Sequence, residues 1–316
     1  MKRILSMTIA LALALSLATT AFATEGGEQP QEETPVVVST LEDLQAAVAA
    51  AEDGDTIAVS AEITLDGVAL ETDKDITITR ADTYESGAFL RLQHGAKISG
   101  FSFKDNSAST IILDSSWEAA VEIRNCHFKG DSMNTQSFIF ACGGINYPNQ
   151  FLIDNCYFEG ASYSAISSRS RLSLTVKNCA FENNLSYNQG GAIRSSGTLI
   201  LDNCTFTGNG AISGGGVYCD GDLTITSCQF SENQIQNEKF GTDILSFGTL
   251  SITDDPQDGA GYYEESTGVK IELPLADYTN TAKLIYLTDE QAAEYFAPEE
   301  PDDPDNTEDN EQNGGE

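Results

Sequence analysis

The sequence predicts an all-β solenoid of about nine stacked coils, on three observations. First, five segments share one pattern, an apolar–polar–apolar run closed by Asn or Ser, then Cys-x-Phe: residues 121–128, 151–158, 174–181, 199–206 and 223–230. Their cysteines, Cys126, Cys156, Cys179, Cys204 and Cys228, stand 30, 23, 25 and 24 residues apart. Second, the alternation within each copy has the period of a strand, and no copy holds the long 3.6-period run that a helical repeat needs. Third, so short a strand unit cannot bury its inner face alone, so the copies must stack to make a core.

Taken in chain order, residues 1–23 read as a secretory signal peptide. Lys2 and Arg3 lead an apolar run from Ile4 to Leu17, and Ala21-Phe22-Ala23 supplies the small-x-small cleavage site. A secreted chain, extracellular or at the cell surface, with no membrane span left after cleavage, is expected. Residues 24–38 form an acidic linker, 39–260 the coils, 261–298 a C-terminal cap and 299–316 an acidic tail. Residues 24–35 hold 4 acids and residues 299–316 hold 9, without a base in either, a composition that favours disorder.

Ser39-Thr40-Leu41-Glu42 reads as a capping box, and Leu41, Leu44, Val48 and Ala51 share one helical face. A helix over 40–52 should therefore close the N-terminal end, where an open coil would expose unpaired backbone. Weaker copies of the repeat lie at 56–62, 75–81, 97–103 (with Phe101 in the cysteine slot) and 249–255. A second strand should precede each cysteine slot by 11–13 residues. Its inward centres would be Leu70, Leu90, Leu113, Ile145, Ile166, Ile193, Val217 and Ile244. Two residues on, Ser115, Ser168, Ser195, Cys219 and Ser246 should also point inward. A third short strand runs from each cysteine to its phenylalanine. At the C-terminal end, strand-like 269–273 and 284–287, then a helix opened by Thr288-x-x-Gln291, should cover the last coil.

The stretch Leu-Gln-Ala-Ala-Val…Gly-Asp-Thr-Ile over 44–57 and the repeats over roughly 40–255 resemble the right-handed parallel β-helix family, similar in fold to pectate lyases. The repeats are also similar to those of polymorphic outer-membrane proteins, which combine Gly-Gly-Ala-Ile, here 190–193, with Phe-x-x-Asn, here 103–106, 181–184, 206–209 and 230–233. No C-terminal barrel is read here, so an outer-membrane autotransporter is not expected. The resemblance implies a right-handed parallel β-helix with an N-terminal capping helix and a short C-terminal cap. In the resembling lyases and hydrolases a carbohydrate lies in a groove across one sheet. Clustered acids there hold calcium or act as acid and base, with an Arg or Lys beside them. The same fold also carries adhesins and passive stalks.

The residues themselves favour binding over chemistry. A formal charge of −33 repels phosphate and excludes nucleic acid as the expected partner. The cysteines lack the close pairs of a metal site and read as reduced, inward, metal-free thiols. Asn125, Asn155, Asn178 and Asn203 read as a turn ladder that satisfies buried polar groups, and the phenylalanines as a stacked core row. The residue after each inward centre of the second strand should face outward: Glu71, Arg91, Asp114, Asn146, Ser167, Arg194, Tyr218 and Leu245, with Arg169 and Asp220 two positions further on. No two acids lie on adjacent rungs of that row, as a glycosidase pair would require. His94-Gly95 matches a polygalacturonase motif whose acidic partners are missing, and Asp254-Asp255 lies far off.

The expectation is thus a non-catalytic binding protein, with no catalytic residue, metal or cofactor assigned and an extracellular glycan or surface protein as partner. Its ligand face is the Gly-rich sheet, flat and approachable, carrying Arg91, Asp114, Asn146, Arg194 and Tyr218. Trp117, Tyr147, Tyr163, Tyr187 and Tyr218 are the aromatic candidates for stacking on sugar rings. A polysaccharide lyase or glycoside hydrolase, and a passive structural module, are the alternatives.

Overall fold

The computed structural model describes residues 34–84, 87–104, 109–114, 120–130, 136–142, 150–168, 172–235, 243–253, 260–279 and 281–297. The chain divides into a unit of residues 1–34 and one of residues 35–316, and the coils belong to the second. The expected signal peptide, most of the acidic linker and the acidic tail lie outside the described residues. So do Ser115, Trp117, Ile145, Asn146, Tyr147, Arg169 and Asp254-Asp255.

The chain builds a parallel β-solenoid of about 7 turns. The last copy, 249–255, closes the stack: its strand Leu250–Ile252 pairs in parallel with Leu223–Thr226 on one side and antiparallel with Leu275–Tyr278 on the other. Among the described residues, no helix is long and apolar enough to cross a membrane.

The cysteine-bearing sheet forms as the repeat requires. Val121–Arg124, Gln150–Asp154, Ser173–Lys177, Thr198–Asp202 and Leu223–Thr226 pair in parallel, apolar side inward. After each comes one left-handed residue: Asn125, Asn155, Asn178, Asn203 and Ser227 have φ between 50° and 53°. Asn tolerates this region better than most residues, and Gly100 takes the same place in the coil before, at φ 91°. The bend redirects the chain into the short third strands, which stack Phe103, Phe128, Phe158, Phe181, Phe206 and Phe230 with centroids 4.6–5.0 Å apart. The five cysteines line up beside them, free and buried. Each thiol reaches back to the carbonyl two residues earlier, as Cys179 does to Lys177 at 3.0 Å.

Two readings of the asparagines change. The turn ladder is exposed, not buried. The buried ladder is the Asn of Phe-x-x-Asn: Asn184, Asn209 and Asn233 bond one another through the coils at 2.9 Å and tie down the Phe158, Phe181 and Phe206 carbonyls. Their last rung is Asp243, which accepts from Asn233 at 2.8 Å and from the Tyr286 backbone at 2.7 Å.

In the second sheet Leu90, Ile111, Ile139, Ile166, Ile193, Val217 and Ile244 are in register and inward. Ser168, Ser195, Cys219 and Ser246 follow inward as expected. Three expectations fail here. The first rung is Ile63–Asp66, while Leu70 and Glu71 pair with Ile98 and Ser99 in the other sheet. Leu113 aligns with Leu92 and Ala141, so Arg91 faces Ile112, and Asp114 lies beside Cys142. The rung assigned to Ile145 and Asn146 is Ile139–Cys142, which puts Phe140 in the outward row. The cause is connection length: Ile111 stands 15 residues before Cys126 and Ile139 stands 17 before Cys156, further than 11–13.

Both ends are closed. Helix α1, Leu41–Ala50, buries Leu44 and Val48; its N-cap is Thr40, accepting from the Asp43 backbone at 3.1 Å, one residue later than the box read from sequence. At the other end Ala282–Thr288 pairs antiparallel with Ile244–Ser246 and Ala260–Glu264, and Leu275–Tyr278 with Leu250–Ile252. Helix α2, Asp289–Tyr295, follows with the Thr288/Gln291 capping box complete. Residues 269–273 contribute only one bridge, Lys270 to Tyr263.

Candidate functional site

The outward row of the second sheet reads Thr64, Arg91, Ile112, Phe140, Ser167, Arg194, Tyr218, Leu245. It is not one polar strip. Ile112 and Phe140 are half-buried, Ser167 is buried, and they separate Arg91 from Arg194 by four rungs, about 19 Å at strand spacing. The proposed residues therefore fall into two clusters, with Asn146 outside the described residues.

The first cluster is an ion-pair knot. Arg91 Nε donates to Glu62 Oε1 at 2.7 Å, and its guanidinium stands 3.6 Å from Asp114 Oδ2. Asp114 also accepts from Gln93 Nε2 at 2.9 Å. The bond to Glu62 raises the pKa of Arg91 further, so the side chain stays a cation and is no proton acceptor. His94 pairs with Asp66 at the neighbouring turn. Among the described residues, no group of three or more His, Cys, Asp and Glu side chains converges to hold a metal.

The second cluster surrounds a hollow of about 470 Å³ lined by Tyr163, Asn188, Gln189, Arg194 and Ser196. Arg194 Nε donates to Gln189 Oε1 at 3.1 Å, and its guanidinium carbon lies 5.9 Å from the centre of the Tyr218 ring. No carboxylate pairs with Arg194 among the described residues. Asn188 donates to the Tyr163 hydroxyl at 3.3 Å, and Tyr187 beside it is 72% exposed. Tyr218 is buried; its ring packs 5.6 Å from Phe247 and its hydroxyl donates to Asp220 at 2.7 Å. Burial, and then that bond, push the phenol up to about 12. Tyr218 therefore supports Arg194 from beneath and is no stacking platform.

The glycines here also differ from expectation. Gly190, Gly191, Gly214 and Gly215 are buried. A Cβ on Gly191 would come within 2.2 Å of the Gly215 carbonyl oxygen, and one on Gly190 within 2.1 Å of the Ile193 oxygen. Gly191 lets successive coils close on each other, and Gly190 lets the chain fold tightly over Ile193 within its own coil; neither opens the backbone to a ligand.

A family model for the right-handed β-helix region matches residues 109–272, more than half of the chain. The chain belongs to the right-handed β-helix family. The β-helix finds no match among curated proteins. Among solved structures, Geobacillus virus E2 ORF18 is similar at 12% identity and a TM-score of 0.37, over 68% of this chain and 58% of that one. The β-helix thus spans less than two thirds of that protein's length.

Lyases and hydrolases share this fold, so the family fixes the scaffold and leaves the activity to the site. Sequence reasoning found Arg194 and Tyr163 in the β-helix but missed Asn188, Gln189 and Ser196. The available signal was the polar run Ser186-Tyr187-Asn188-Gln189 between a Phe-x-x-Asn and a Gly-Gly pair.

Proposed function

We propose that this protein is a non-catalytic extracellular binding protein that holds an acidic glycan in the hollow around Arg194. The observation that carries the reading is the state of that arginine. In a chain of formal charge −33, Arg194 is oriented by Gln189 and Tyr218, lies in a polar hollow and has no carboxylate partner among the described residues. A guanidinium held this way offers paired donors to a carboxylate or sulfate group. Asn188, Ser196 and the Tyr163 hydroxyl offer partners to sugar hydroxyls, and the exposed Tyr187 ring offers a face to a pyranose. The signal-peptide pattern at residues 1–23 supports the extracellular setting. A glycan array run with the wild type and Arg194→Ala tests the reading. Retention of uronate- or sulfate-bearing glycans over neutral ones, lost in the variant, is the expected result; unchanged binding by a folded variant sinks it.

A lyase or hydrolase is the second reading, favoured by Glu62 and Asp114 flanking Arg91 from two coils. Against it stands the engagement of both acids, Glu62 by Arg91 and Asp114 by Arg91 and Gln93, which ties them into an ion-pair network.

A further inference from the structure

The exposed asparagine ladder has a break. Asn155 donates its amide to Asn125 Oδ1 at 2.8 Å, and Asn203 donates to Asn178 Oδ1 at 2.8 Å. Asn178 turns aside and donates to Asp154 Oδ1 at 2.8 Å. The Asn155 carboxamide oxygen is thereby left without a donor among the described residues. The break lies in a hollow of about 330 Å³ in the cysteine-bearing sheet, at the bend before the third strands. One wall is the amides of Asn125, Asn155 and Asn178. The other is Ser102 and the rings of His127 and Tyr157, whose centroids are 4.9 Å apart.

The backbone does not dictate this chemistry. Gly100 makes the same left-handed bend at one end of the hollow and Ser227 makes it further along the stack, while Ala180 at the other end of the hollow, then Thr205 and Gln229, occupy the Tyr157 slot on later coils. Among the described residues of the stack, turn amides and rings in the following strand coincide at the hollow alone. Of the acids beside it, Glu159 pairs with Lys129 at 3.3 Å, and Glu182 accepts from the Tyr157 hydroxyl at 2.6 Å. Burial lowers the pKa of His127, keeping its ring neutral near pH 7. What remains is a free amide acceptor, spare amide donors and a ring surface without net charge. The volume is at the low end for ligand pockets.

We infer that this hollow is a second carbohydrate subsite, taking one neutral, hydroxyl-rich pyranose ring. A sugar hydroxyl donates to Asn155 Oδ1, the neighbouring amides bond adjacent hydroxyls, and the apolar face of the ring lies against Tyr157 and His127. The site uses no residue of the Arg194 hollow and stands or falls separately from it.

His94 and His127 are the two histidines of the chain, so their imidazole NMR signals are separate reporters. The probes are the methyl glycosides of glucose, galactose and mannose. At least one should move the His127 signal saturably, with millimolar affinity, and leave His94 in place. Asn155→Gly, which keeps the left-handed backbone, should weaken that affinity at least tenfold. Tyr157→Thr, a residue the next coils already use in that slot, should do the same. Arg194→Ala should leave the titration unchanged. No saturable shift with any of the three sugars, or an Asn155→Gly protein that binds as the wild type does, overturns the assignment.

Discussion

Asp243 is a carboxylate taken out of water. It is buried at the end of the Asn184–Asn209–Asn233 ladder, and its two oxygens accept from Asn233 and from the Tyr286 backbone of the C-terminal cap. Burial pushes its carboxyl up to about 7, against the two hydrogen bonds that pull it down. In the unfolded chain the same group titrates near 3.9. Between those two pH values the folded protein binds the extra proton, so stability rises as pH falls. The contribution is complete below the unfolded pKa and is lost as pH climbs through about 7. Urea unfolding should therefore show the wild type gaining a few kcal/mol from pH 8 to pH 5, and Asp243→Asn lacking most of that gain. Equal gains in the two proteins would remove Asp243 as the cause.

At the scale of the element, the coils are held by columns of like residues. The Phe column is in stacking contact from Phe103 to Phe230, and the thiol column beside it shares its apolar setting. Burial raises the pKa of Cys156 and of Cys179, so these positions act as small hydrophobes with a weak donor. Cys179→Asp should cost several kcal/mol, because the stack offers a carboxylate no partner. Alkylation in denaturant without reductant, followed by mass spectrometry, should recover all five stacked cysteines alkylated; disulfide-linked peptides from these positions would contradict the thiol column. This sheet was legible because each strand carries its own tag, an asparagine or serine that turns the chain and a cysteine and phenylalanine that face inward. The second sheet has no such tag. Its register depends on connections of unequal length, which is why Leu113 and Asp114 were misplaced and Ile166, Ile193, Val217 and Ile244 were not. The Arg194 hollow was half legible. Arg194 stands on a strand whose facing can be read from alternation, while Asn188 and Gln189 reach it from a turn whose path cannot.

At the scale of the whole molecule, we propose that a β-helix with a fold shared by lyases and hydrolases works here by holding an acidic glycan. Acidity and binding are compatible because the charge is spread unevenly. On the cysteine-bearing sheet, Lys97, Arg124 and Lys177 pair with Glu122, Asp154 and Asp202 across coils, whereas Arg194 has no such acid among the described residues. The most direct measurement is calorimetric titration of the protein with oligogalacturonate and with a sulfated oligosaccharide of matched length, followed by analysis of the same mixtures for new reducing ends and unsaturated products. The account predicts saturable binding of at least one of the two, weakened roughly tenfold to a hundredfold by Arg194→Ala, with the oligosaccharide recovered intact. Cleavage of either oligosaccharide, or affinity that is indifferent to Arg194, would contradict it.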